Sequence, residues 1–153
     1  MSKVLEIYIA KTAKDPMQKM DSVELEAGQG IVGDRYHSET GTFSQKLAGL
    51  PDKELTLIES EKIDEFNREY GFNFNYGDFR RNIVTKGIAL NDLPGKTFNL
   101  GGIRFRGVRL CEPCAYLANL LAPEVMSALV HKTGLRAQIL DSGIIQAGDH
   151  LAI

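Results

Sequence analysis

Apolar and polar residues alternate along most of this chain in short runs punctuated by glycine, a period that predicts strands more often than helices. VLEIYIA, residues 4–10, reads as a first strand, and the Pro-broken KTAKDPMQKMD after it as a loop. SVELEAGQGIVGDRY alternates Val23 and Leu25 with polar neighbours and then turns on Gly28 and Gly30. Residues 37–53 form a polar connection of no clear period, of a length that often carries function. ELTLIE reads as a strand, and one good helix follows. It has Ser60 or Glu59 at its cap, Glu61, Asp64 and Glu65 early, Ile63, Phe66 and Tyr70 on one face, and a stop at Gly71.

Strand character returns in FNFNYGDFRRNIVTKG around a Gly77-Asp78 turn, with Ile83 and Val84 as core. IALNDLPGKTFNLGG is rich in turns, and IRFRGVRL alternates as a half-buried strand should. AYLANLLA and PEVMSALVHK predict two short helices, the second opened by Pro123 and stopped by Gly134. The last segment, LRAQILDSGIIQAGDHLAI, predicts two strands joined by Asp141-Ser142-Gly143. The expected fold is mainly β (α+β): a closed or nearly closed β-barrel with a few short helices packed outside. Closure is the expectation because it removes exposed sheet edges.

Length and charge narrow the functional classes. At 153 residues the chain fits one domain, residues 1–153, with enough core to fold without a disulfide or metal. A formal net charge of -2 lacks the basic footprint of a nucleic-acid binder. No secretory signal and no membrane-length apolar run is present, and the two cysteines sit three positions apart, so a reducing cytoplasm is the expected compartment.

Those cysteines, in CEPCAYL, are the most informative residues. The chain leaves a strand at Leu110, turns through Pro113 and enters a helix near Cys114. A thiol there meets unpaired backbone N–H groups, a setting that can draw its pKa from ~8.5 to between ~3.5 and ~7.5. Arg104, Arg106 and Arg109 are close in sequence. The thiolate is the form that attacks sulfur, carries a persulfide or binds a soft metal. The competing reading makes both cysteines small buried hydrophobes. A zinc site lacks ligands, because there is no second CxxC and His37, His131 and His150 are scattered; a redox pair lacks its usual βαβ context.

Three further clusters carry polar chemistry. In FRRNI, adjacent arginines on a strand point to opposite faces, so one can enter a pocket; Arg81 with Asn82 suits a phosphate or carboxylate, against a solvated edge and a turn. In GQGIVGDRYH, glycines allow close backbone approach while Asp34, Arg35 and His37 supply polar groups, against a hairpin with an Asp–Arg pair; with no helix following, it is not a nucleotide fingerprint. AGDHL reads as a turn with an Asp149-to-backbone hydrogen bond.

In order and spacing, GIVGDRYH, GDFRRNIVTKGIAL with LPGKTFNLG, CEPCAYL and GLRAQILDSGIIQAGDHL resemble the MOSC domain, the C-terminal module of molybdenum cofactor sulfurases. The resemblance implies a β-barrel and one characteristic cysteine, matched by Cys114, with Cys111 an addition of a subset that would act as a resolving thiol or second ligand. It implies a molybdenum cofactor (molybdopterin) or a persulfide held at Cys114, which would be the metal ligand. Arg81, Asn82 and Arg35 would contact the pterin or its phosphate. The activity implied is reduction of N-hydroxylated compounds with an electron donor; the alternative is a non-catalytic module that delivers cofactor or persulfide to a partner enzyme. The chain holds no pyridoxal-phosphate desulfurase part, so that cofactor has no support in the sequence, and nucleic acid and membrane are not expected partners.

Overall fold

The computed structural model describes residues 2–38 and 53–152. Among the described residues eleven strands fall in two sheets. The larger one orders β11 (Leu151–Ala152), β7 (Thr97–Leu100), β8 (Ile103–Leu110), β9 (Leu135–Ile139), β5 (Leu55–Glu59), β6 (Ile83–Lys86), β1 (Lys3–Ile9) and β2 (Gln18–Met20). The smaller one orders β10 (Gly143–Gln146), β3 (Ser22–Glu26) and β4 (Gly30–Ile31).

The two-residue side-chain period sorts two cores onto opposite faces of the large sheet. Val4, Ile7, Leu55, Leu57 and Ile83 point into its concave side, where they meet Phe98, Phe105 and the inner residues Val23, Leu25 and Ile145 of the small sheet. Tyr8, Ile58 and Val84, from the same strands, point outward beneath the helices. Strands β1, β5 and β6 are therefore covered on both faces, which is why their sequences read as nearly unbroken apolar runs.

β5 and β6 are parallel, and the connection between them carries α1 (Ser60–Tyr70), which lays Ile63 and Phe66 on the outer core. The helix begins after Glu59 and ends at Gly71, whose φ of 71° is the left-handed stop its position predicts. Two shorter helices, α2 (Ala115–Leu120) and α3 (Val125–Ala128), bury Leu117 and Val125 on the same core. No helix among the described residues is long and apolar enough to cross a membrane.

The mainly β architecture with outside helices matches the expectation, but the barrel does not close. The large sheet curls and stays open. Its far edge is a two-residue strand, β11, joined to β1 only through an isolated Lys3–His150 bridge and a few irregular bonds such as Val4 N–H to Asp149 O, 2.7 Å. β10 is the reason: the Asp141-Ser142-Gly143 turn does not fold it back on β9 but sends it to the small sheet, where it pairs with β3. The segment before β6 also departs from strand: Tyr76–Phe79 form a 3-10 turn ending at Arg80. α3 stops well before Gly134, which instead leads into β9. The expected connection over 37–53 lies almost entirely outside the described residues.

Candidate functional site

Cys114 occupies the N-cap of α2 in an extended conformation, with no side-chain capping bond. Its side chain is half-buried against the outer core, whereas Cys111 is buried at 3% exposure. The strand-to-helix junction read from the sequence is present, but α2 is only six residues long, too short to offer much dipole. Arg104 does not face this turn. It is bound through two nitrogens to Asp141, 2.9 and 3.0 Å, near the other end of β8, roughly 20 Å from Leu110.

The arginine pair approaches the cysteine turn along two routes. Arg81 donates from Nε to the Thr133 carbonyl, 2.8 Å, and the Thr133 hydroxyl in turn donates to the carbonyl of Cys111. Arg80 donates to the carbonyls of Asp15 and Ala13, 2.8 and 2.9 Å, and the Tyr116 hydroxyl of α2 reaches that same Ala13 oxygen at 3.4 Å. FRRN and CEPCAY are thus brought together by Thr133 on one side and by the loop after β1 on the other.

Arg80 carries a structural signal of its own. Its φ is 59°, left-handed backbone that few non-glycine residues adopt, and such strain persists only where neighbours enforce it. The enforcement is visible: Arg35 donates to the Arg80 carbonyl at 2.9 Å, and the Arg80 N–H closes on Gly77 O at 3.0 Å. Burial first, and then the Arg35 charge, lower the Arg80 pKa, yet a guanidinium stays protonated in proteins. Among the described residues no carboxylate lies within ion-pair distance of it; both its guanidinium contacts are neutral carbonyls.

The other predicted residues are placed as follows. Asp34 and Arg35 form a buried ion pair, 3.0 Å, and the Asp34 carboxylate also accepts from the backbone N–H of Ala10 and Tyr36. Asn82 is fully buried, accepting from Thr56 N–H and Oγ1 and donating to Tyr8 O. These side chains stitch the sheet to the Arg80 turn. His37 lies apart, its Nε2 2.9 Å from Glu26 at the end of β3. The Asp149 reading holds: its carboxylate accepts from Gln146 N–H at 2.9 Å.

Sequence reasoning weighed Arg80 only as one of a pair, passed over Tyr116, and read 131–134 as the end of a helix and a scattered histidine, not as the support of the cysteine turn. A cleft of about 910 Å³ opens beside the site, lined by Arg80, Met17, Tyr8, Phe74, Tyr76 and Leu121 among others. Glu6, Asp64 and Asp78 also line it, against Lys19 and Arg80, so an anion is favoured only at its arginine corner. Cys114 does not line this cleft but packs on the cluster that forms its floor. Among the described residues no three His, Cys, Asp or Glu side chains converge as a metal site. A metal held by protein donors alone does not fit here; one that arrives already chelated needs a single soft donor, and Cys114 fits that role.

Comparison with known proteins matches residues 44–152 to the MOSC domain model. The fold is similar to that of the YuaD protein of Bacillus subtilis, with a TM-score of 0.83, 17% identity, and 99% of this chain and 94% of that one covered. It is also similar to YiiM from Geobacillus stearothermophilus (TM-score 0.76, 19% identity, 99% and 74% covered). YiiM from Escherichia coli follows the same fold (TM-score 0.67, 18% identity, 99% and 68% covered). At such identities the likeness is one of fold. No curated protein matches the sequence.

Proposed function

Since this chain belongs to the MOSC domain family, we propose that it holds a molybdenum cofactor or a persulfide through the sulfur of Cys114. The observation that carries this reading is that the turn bearing one half-exposed thiol and the FRRN arginines, more than thirty residues earlier in the chain, are linked through Thr133 on one side and the Ala13 carbonyl on the other. When bound, the cofactor would supply two-electron redox chemistry, with N-hydroxylated compounds as the substrate class to try first.

The chain's own residues divide the remaining work. Cys114 offers the soft ligand. Arg80 and Arg81 offer cations to a phosphate; carbonyl contacts such as those Arg80 now makes are weaker than charge-assisted ones, so an anion can displace them. Arg35, Asp34 and Asn82 keep the Arg80 turn in place.

The test is to isolate the protein from molybdenum-replete cells and measure bound molybdenum, pterin and sulfur added to Cys114, wild type against Cys114→Ser. Loss of metal and pterin in the variant supports cofactor binding. Loss of added sulfur alone favours a module that delivers persulfide to a partner enzyme. Equal retention in both proteins removes Cys114 from the function.

A further inference from the structure

The turn that bears Cys114 has little scaffold of its own. Residues 111–114 lie between β8 and α2 in neither strand nor helix, and Pro113 has no N–H to give. Apart from the Ala118 N–H of α2 donating to Cys114 O, the hydrogen bonds that fasten the turn among the described residues run to the segment 131–134. The Cys111 N–H donates to Gly134 O at 2.8 Å, and the Thr133 hydroxyl donates to Cys111 O. The His131 N–H donates to Glu112 Oε1 at 2.7 Å, and His131 Nδ1 lies 2.5 Å from Glu112 Oε2. An ionised carboxylate only accepts, so Nδ1 carries the proton in that contact.

His131 is set for this grip in an unusual way. Its φ is 61°, left-handed backbone for a residue with a Cβ, and its carbonyl is held in turn by Asn91 Nδ2 at 2.8 Å. Global stability does not explain the arrangement. The His131 and Glu112 side chains are 66% and 43% exposed, and ion pairs that exposed add little to folding. What the grip does control is Glu112, the first of the two residues between the cysteines.

We propose that Glu112 and His131 are positioning residues for Cys114, the two-point grip on the Glu112 carboxylate holding the turn in the conformation that presents the sulfur. The inference rests on reading Cys114 as the working atom, but its test does not need a bound cofactor.

In the full-length protein, Glu112→Ala removes both contacts, while Glu112→Gln keeps an amide oxygen for the His131 N–H. His131→Asn keeps that N–H and tolerates the left-handed backbone, losing only the ring contact. Iodoacetamide labelling is followed at Cys114 and Cys111 separately by peptide mass, alongside the melting temperature. Glu112→Ala is expected to change the Cys114 rate by about fivefold, the factor that corresponds to one ordinary hydrogen bond. Glu112→Gln is expected to recover most of the wild-type rate, and His131→Asn to fall between. Buried Cys111 should stay protected in all of them, with little change in melting.

A wild-type Cys114 rate in Glu112→Ala overturns the proposal. So does a rise at Cys111 in step with Cys114, which would mean that the domain as a whole had loosened. If the labelling pattern appears in a protein that keeps neither molybdenum, pterin nor persulfide, the positioning stands and the functional reading fails.

Discussion

Removing the side-chain amide of Asn82 separates scaffold from ligand contact at the residue where the two readings differ most. Asn82 sits just before β6, fully buried, with its own N–H donating to Thr56 Oγ1. Its side chain accepts from the Thr56 N–H at 3.1 Å on β5 and donates to Tyr8 O at 3.1 Å on β1. One amide therefore ties both neighbours of β6 together. Asn82→Ala leaves a buried N–H and a buried carbonyl without these partners, each costing about 1–3 kcal/mol, so the loss should total roughly 2–6 kcal/mol. For a chain of this size that corresponds to a fall in melting temperature on the order of 10 °C. Urea and thermal unfolding monitored by far-UV dichroism measure both. Asn82→Ala with a loss below about 1 kcal/mol, but with cofactor retention abolished in the still-folded protein, would refute the scaffold assignment and restore Asn82 as a ligand contact.

Gly134→Ala should be among the most damaging single-methyl changes. A Cβ there would stand 1.9 Å from Leu57 O, a backbone atom that cannot rotate away, at a φ of 108°; we expect a loss of more than about 3 kcal/mol or failure to fold, read by the same unfolding curves. Glu54→Gln tests the buried carboxylate that accepts from Ile139 N–H at 2.8 Å and Gly28 N–H at 3.2 Å, joining the two sheets. Burial raises the Glu54 pKa above its unfolded value, so the folded state binds the extra proton, and wild-type stability should gain on the Gln variant as pH falls from neutral toward the ordinary carboxylate range. A wild type that loses ground to Glu54→Gln over that window would contradict the desolvation.

How far the sequence could be read depended on whether a feature was local. α1 was legible because its cap, its Ile63–Phe66 face and its Gly71 stop all lie between Glu59 and Gly71. The doubly buried strands announced themselves as apolar runs. The open barrel was not legible, since a turn such as Asp141-Ser142-Gly143 sets a change of direction without naming the next partner; that Gly143 pairs with Leu25 is decided by packing over a hundred residues away. Arg80 was illegible for a similar reason. Arginine has no intrinsic preference for left-handed backbone, and its conformation is imposed by Arg35 on its carbonyl and by the Ala13 and Asp15 carbonyls on its guanidinium. At the site, the cysteine turn could be found from its place between strand and helix, but nothing in HKTG marks it as the turn's support.

Position in the sheet explains why the thiol sits where it does. β8 and β9 form a long antiparallel pair that shifts register between Gly107 and Arg109, and Gly107 admits the Leu93 carbonyl so closely that a Cβ would lie 2.2 Å from it. Past that bulge the ladder runs through Leu110 with Leu135, and the Cys111 bond to Gly134 continues it one step beyond the strands. The sulfur-bearing turn is therefore an extension of sheet, fixed on the side of β9. Arg80 is held in another way: its guanidinium reaches to a loop whose carbonyls are its only side-chain partners among the described residues, and exchanging them for a charged ligand would break no strand pairing. On the proposed reading, a cysteine turn fixed by the sheet and an arginine held only by loop carbonyls would suit a ligand that brings its own bulk and charge, the rigid side setting where it is held and the loop side adjusting to what it is.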